Sequence, residues 1–234
     1  MTSTATSEPI SRRGRRLHPA PAIAGITYLA VWVVGLAIWP SNLDVASSDS
    51  QVIAAYAGHR GQAMIQSLLV HGVAAVALAV VVLTLGRTAR HRGADLLSNA
   101  TVVAGISAAV VSLVQCGLGL VLAGWAVPEG EARGAGLLFA AINRLDGVKM
   151  LALAAMAVSA AVLVRRTGVL HRWLGYLGVI LAAALVISGI GYLLLINTLA
   201  LAAYVSGVLL LVWVAAVGIS LSWRTQPGFD QHQT

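Results

Sequence analysis

The sequence predicts an all-α polytopic membrane protein, a bundle of six transmembrane helices with both termini in the cytoplasm. Three observations carry this. Of 234 residues, 59% are hydrophobic and 10% charged, with mean hydropathy +0.87; a soluble domain needs about 25% charged residues to cover its surface. Six apolar runs each approach or exceed the roughly 20 helical residues that cross a hydrocarbon core. Basic residues outnumber acidic ones fifteen to eight and gather in alternate connections, the asymmetry that orients helices in a bilayer. Nucleic acid would require that excess on a soluble basic face, so the expected partner is the lipid bilayer and nucleic acid is excluded.

Residues 1–20 read as a disordered, basic cytoplasmic tail, with Arg12, Arg13, Arg15 and Arg16 as its dense charge. The first span covers residues 22–39 and ends at Trp39-Pro40; it is too long and lacks the cleavage site of a removed signal peptide. A polar connection comes next. Ser48-Asp49-Ser50 starts a short surface helix there, with Val52, Ile53 and Tyr56 on one apolar face. Span two, residues 61–85, stops at Arg87, Arg90, His91 and Arg92, and span three covers residues 97–125. Residues 136–145 form a second surface helix or the tilted top of span four, which occupies residues 147–164. The turn Arg165-Arg166-Thr167-Gly168 leads to span five, residues 174–196. Asn197-Thr198 makes a tight hairpin to span six, residues 199–223, so that the membrane domain is 21–223 and residues 224–234 form a polar cytoplasmic tail.

With the first tail inside, the inner side holds eleven of the fifteen basic residues, and the outer side five of the eight acids: Asp44, Asp49, Glu129, Glu131 and Asp146. This gives a multi-pass protein of the inner (plasma) membrane. Trp39, Trp125 and Tyr192 fall at outer ends and Trp173 and Trp223 at inner ends, as interfacial belts require. Glycines crowd spans three to six, which suits close helix contact within one chain or in a homo-oligomer. Cys116, the single cysteine, has no disulfide partner and reads as a small apolar side chain.

With the spans drawn this way, no Asp, Glu, Lys or Arg lies deep in the membrane, which counts against an ion-coupled transporter. His71 is the only histidine inside a span. It reads either as a neutral side chain bonded across a helix interface or as a proton donor or acceptor in an outward-open cavity. A second histidine at matching depth is missing for haem, and ligands do not cluster for zinc, so no metal or cofactor is expected. Asp146 and Lys149 stand three apart at the mouth of span four. They form either an interfacial ion pair or an acid and its neighbour at the lip of an apolar cavity. Glu129 and Glu131, on the facing loop, are alternative acids. Gln115 and Asn197 need partners in lipid, as interhelical bonds or ligand contacts. Tyr28, Trp32, Tyr204 and Trp213 lie away from the belts, where they pack in the core or line a pocket whose ring faces shelter a cation.

The stretch from Arg144 to Gly178 resembles the second half of a family of small six-span bacterial membrane proteins of unknown function. Asp146, Lys149 and the run Arg166-Thr-Gly168-Val-Leu170-His-Arg172-Trp173-Leu-Gly175-Tyr-Leu-Gly178 carry the likeness. The resemblance implies a six-helix bundle and no particular activity. In size, span number, aromatic content and outer-half acids, the chain is also similar to the small integral-membrane terpene cyclases. That likeness implies proton-initiated cyclisation of a prenyl chain by a carboxylic acid in an apolar pocket, with Asp146, Glu129 or Asp44 as the acid.

Three function classes remain, each with its own structural expectation. An intramembrane enzyme on a lipophilic, prenylated substrate needs an apolar cavity opening outward or sideways, with Asp146 or Glu129 facing it. A small-molecule transporter needs a cavity past mid-membrane lined by His71 and Gln115. A structural or regulatory protein needs no cavity and satisfies every polar group between helices. The gathering of acids and aromatics in the outer half favours the enzyme.

Overall fold

The computed structural model describes residues 19–41 and 43–223; the Arg12–Arg16 cluster and the tail from Arg224 lie outside the described residues. Among the described residues seven helices succeed one another: α1 (Ala20–Ile38), α2 (Asp49–Ala57), α3 (Arg60–Arg90), α4 (Asp95–Ala126), α5 (Ala132–Thr167), α6 (Arg172–Leu194) and α7 (Asn197–Ser222). All except α2 are long and apolar enough to cross a membrane. No strand occurs among the described residues. In hydrocarbon a backbone must satisfy its own hydrogen bonds, and a helix does so within one segment.

The six long helices close into a ring. Each packs on its neighbours in the order α1, α3, α4, α5, α6, α7, and α7 returns to α1. Alternating direction places the arginines that end α3 and α5 and begin α6 at one end of the ring, the basic end. Asp44, Asp49, Glu129 and Glu131 lie at the other, the acidic end. The described chain enters and leaves at the basic end, where the Ala22 amide donates to Ser222 Oγ at 3.0 Å. Arg92 Nη1 ties α3 to the end of α5 by donating to Thr167 O at 3.1 Å.

Apolar side chains fill the basic half of the ring: Leu78, Val81, Leu85, Met156, Leu163, Leu174, Trp213 and Val217 belong to one buried cluster. Small residues let the backbones close up. A Cβ on Gly147 would lie 2.7 Å from Gly189 O of α6, and one on Gly25 would lie 3.0 Å from Val214 O of α7. The acidic end is partly covered by α2, held by a capping box in which the Ser48 amide donates to Gln51 Oε1 at 2.8 Å. Val52 of α2 is fully buried against Leu122, Val127 and Ala135, with Ile53 and Tyr56 packed beside it.

Several expectations shift. The 136–145 segment is the top of the helix that carries span four and not a separate surface helix: α5 runs unbroken from Ala132 because no proline or cap interrupts it, and it stops at Gly168 in the left-handed conformation (φ +59°). At about 1.5 Å per residue it is about 54 Å long, well beyond a hydrocarbon core of about 30 Å. Asp146 and Lys149 are therefore interior to a helix, near its midpoint, and are not at its mouth. The α6–α7 turn is Leu195-Ile196, with Leu195 at φ +56° and the Ile196 amide donating to Gly191 O at 2.8 Å; Asn197 already begins α7. Trp39 and Tyr192 leave the expected belt and face inward. Trp39 packs edge-on against Tyr56, ring centroids 4.6 Å apart, because α2 folds over it.

Candidate functional site

Above the apolar plug the ring encloses a cavity of ≈ 470 Å³, and all six long helices contribute to its wall. A volume of this size is typical of sites for small organic ligands. The polar residues sit at one level. His71 lies about sixteen residues from Arg87 along α3, and Lys149 about sixteen from Arg165 along α5, each about 24 Å from the basic end. Gln115 reaches a similar level on α4, whose Ser98 hydroxyl donates to Gly86 O of α3 at 2.7 Å and sets the two helices in register.

Lys149 Nζ pairs with Asp146 Oδ1 one turn back on α5. Lys149 is 6% exposed. A buried ammonium ion survives in an apolar wall only with such a partner. His71 of α3 lies within electrostatic reach of both. It sits in a π-helical turn, Leu68–Val73, closed by the Ala74 amide donating to Leu69 O. Such a turn adds one residue to the helix and rotates the side chains beyond it relative to those before. As a result Gln66, Ser67, Val70 and His71 all border the cavity, although ordinary helical spacing assigns the Gln66 and His71 side chains to different faces. Gln66 spends its amide on α1, donating to Gly35 O and Trp39 O at 3.1 Å each.

Gln115 is fully buried and donates Nε2 to Ile142 O at 3.0 Å. Its Oε1, like His71 Nδ1, is buried with no hydrogen-bond partner among the described residues. Trp32 Nε1 is buried beside Tyr28, whose ring centroid lies 6.5 Å from that of Trp32, without a hydrogen bond of good geometry. Unmet polar atoms in a buried wall are costly, on the order of 1–3 kcal/mol each, and here they share one cavity.

Of the residues singled out from the sequence, Asp146, Lys149, His71, Gln115, Tyr28, Trp32, Asn197, Tyr204 and Asp44 all line this cavity. Asp44 and Asn197 stand at its acidic-end mouth, where a second, shallower recess of ≈ 350 Å³ adjoins. Two do not join them. Glu129 is exposed on the turn between α4 and α5. Trp213 is 1% exposed in the plug, where its Nε1 donates to Leu174 O at 3.0 Å. Tyr192, Ser112 and Asn143 border the cavity and were not singled out. Tyr192 is masked in the sequence by its position near a helix end, which also suits a belt, and the π-turn has no sequence signature. Outside the spans, burial of the inner face of α2 against the bundle pushes the Tyr56 hydroxyl up to about 12.

Compared with family models, curated proteins and solved structures, the chain matches none. Function is therefore read from the cavity.

Proposed function

We propose that this protein is an intramembrane enzyme that takes a lipophilic, prenyl-type molecule into the cavity and moves a proton on it. The observation that carries this reading is a carboxylate–ammonium pair and a histidine gathered from two helices in a mostly apolar, ligand-sized cavity. Apolar walls suit a hydrocarbon chain, and the Tyr28 and Trp32 ring faces suit a developing positive charge.

A proton-initiated cyclisation fits the same residues through a specific sequence of steps. A lipophile displaces water from the cavity, and a dry ion pair is costly. Transfer of one proton from Lys149 Nζ to Asp146 Oδ1 leaves a neutral amine and a carboxylic acid. The acid then protonates a substrate alkene: its O–H bond breaks, a C–H bond forms, and the cation closes a ring. Loss of a proton to the carboxylate or amine ends the reaction with a product isomeric with the substrate. Asp146 is the acid in this scheme, because Glu129 lies away from the cavity and Asp44 sits at its exposed mouth.

The test is product analysis by mass spectrometry on membranes incubated with prenylated aromatic and linear terpenoid substrates. An isomer of unchanged mass is expected. It should vanish with Asp146→Asn and Lys149→Met and persist with Asp44→Asn and Glu129→Gln. An isomer that survives Asp146→Asn, or none from folded protein, sinks the proposal. Transport is the second reading, favoured by His71 and Gln115 in the wall. The buried plug of the basic half weighs against a through path, and solute flux into proteoliposomes measures it directly.

A further inference from the structure

We infer that the cavity takes an uncharged lipophile ending in a hydroxyl group, a long-chain alcohol or phenol, and admits it sideways from the lipid between α1 and α7. This rests on the reading above that the cavity holds a lipophilic molecule, and it adds the headgroup and the route.

The headgroup is set by the polar atoms that the wall leaves unmet. Asp146 and Lys149 neutralise each other, and among the described residues the only other charged side chain on the wall is Asp44 at the mouth. An anionic or cationic headgroup deep in the cavity therefore finds no uncompensated counter-charge, and its desolvation is not offset. There remain a buried acceptor, Gln115 Oε1, a buried imidazole nitrogen, His71 Nδ1, and a buried donor, Trp32 Nε1, that an alcohol oxygen can also meet. Gln115 is fixed with its amide nitrogen turned to Ile142 O, so Oε1 awaits a donor. A hydroxyl both donates and accepts. It can give its proton to Gln115 Oε1 while its oxygen meets His71, which a hydrocarbon, an ether or a carboxylate cannot do.

The route is set by how α1 and α7 diverge. At the basic end their backbones touch: Gly25 faces Val214 and Ala215, Gly218 faces Pro21, and Ala22 bonds to Ser222. Towards the acidic end, Leu36 of α1 and Tyr204 and Val208 of α7 line the cavity and also face outward, with Tyr204 77% and Val208 62% exposed. Side chains that border both a cavity and the outer surface mark a gap in its wall. Gly207 lies in the same gap, and a Cβ built on it meets nothing within 4 Å. The acidic end itself is partly covered by α2, with Tyr56 against Trp39.

The experiment uses the full chain in phosphatidylcholine nanodiscs with tritiated farnesol, competed by farnesoic acid, farnesylamine and farnesene. Farnesol is expected to saturate at one per chain and to outcompete the acid and the amine by at least about tenfold, the scale of one good polar contact. Gln115→Leu should lower farnesol to the level of farnesene and leave farnesene unchanged. Gly207→Trp should slow farnesol association by at least about tenfold, whereas Ala46→Trp, in the acidic-end recess, should not. Equal or tighter binding of acid or amine, or a farnesol preference that survives in folded Gln115→Leu, overturns the headgroup. The ranking on the unaltered protein decides this even if that variant fails to fold. Slowing by Ala46→Trp, or none by Gly207→Trp, overturns the route. If no probe binds, the lipophile-site reading itself fails, a result distinct from binding without headgroup preference.

Discussion

Replacing Lys149 by Met leaves the Asp146 carboxylate alone in the wall of the cavity, and the cost can be worked from burial. The paired side chains are 8% exposed for Lys149 and 19% for Asp146. A fully exposed pair contributes about 0–1 kcal/mol, whereas removing one partner of a buried pair costs about 3–5 kcal/mol. These exposures lie near the buried limit, with some relief through Asp146, so the expected loss for Lys149→Met is about 3 kcal/mol, roughly a 150-fold shift in the folding equilibrium. Removing both charges with Lys149→Met and Asp146→Leu should return stability to within about 1 kcal/mol of the parent, since hydrophobic replacement of a buried pair is often neutral. The coupling between the two sites is then about 2 kcal/mol or more. Unfolding by SDS titration in mixed micelles, monitored by circular dichroism, measures all four proteins. Single-variant losses below about 1 kcal/mol that simply add in the double variant would refute the reasoning. They would mean that each charge is separately solvated and the pair is no structural unit.

Three further outcomes are expected. Gly147→Val should cost about 1–3 kcal/mol by overpacking against Gly189 O and Leu193 N of α6, whereas Gly117→Ala, whose Cβ meets nothing within 4 Å, should be neutral or stabilising; the same SDS titration compares them. Trp213→Phe removes the donor to Leu174 O in the plug and should lower stability by about 1–3 kcal/mol while leaving ligand binding intact, checked by melting and probe binding together. The Tyr56 hydroxyl ionises at about 12 in the folded protein against an ordinary 10.0. A raised value means the folded state keeps its proton longer, so this contribution is complete below pH 10 and is lost as pH rises towards 12, on the order of 2 kcal/mol in all. Tyr56→Phe should flatten stability over that window, read by thermal melts at stepped pH.

Much of the fold was legible because lipid imposes one requirement on every residue of a span. A run such as 174–194 has to be helical, and the Arg165-Arg166 end of α5 has to lie outside the hydrocarbon, whatever it packs against. Some site residues were legible for a related reason: His71 and Gln115 are expensive in lipid, so each stood out before any neighbour was known, whereas Asp146 and Lys149 stood out as an acid and a base three apart. Their grouping did not. Asp146 and Lys149 read as a helix mouth because the 136–145 segment is amphipathic enough to be separate, and only its continuity within α5 places the pair mid-helix. Glu129 and Trp213 have the right chemistry for a cavity, but one ends on an exposed turn and the other turns its Nε1 to Leu174 O.

The sequence by itself therefore determined the class, six apolar helices with basic connections at one end, because hydropathy and charge act on each segment independently of the others. The tertiary structure alone decided that the helices close into a ring around a cavity, that a π-turn aims His71 into it, and that α1 and α7 meet at Gly25 and Gly218 yet part beside Tyr204. These are relations between segments distant along the chain, fixed by which side chains interlock at each crossing, and no local pattern of residues encodes them.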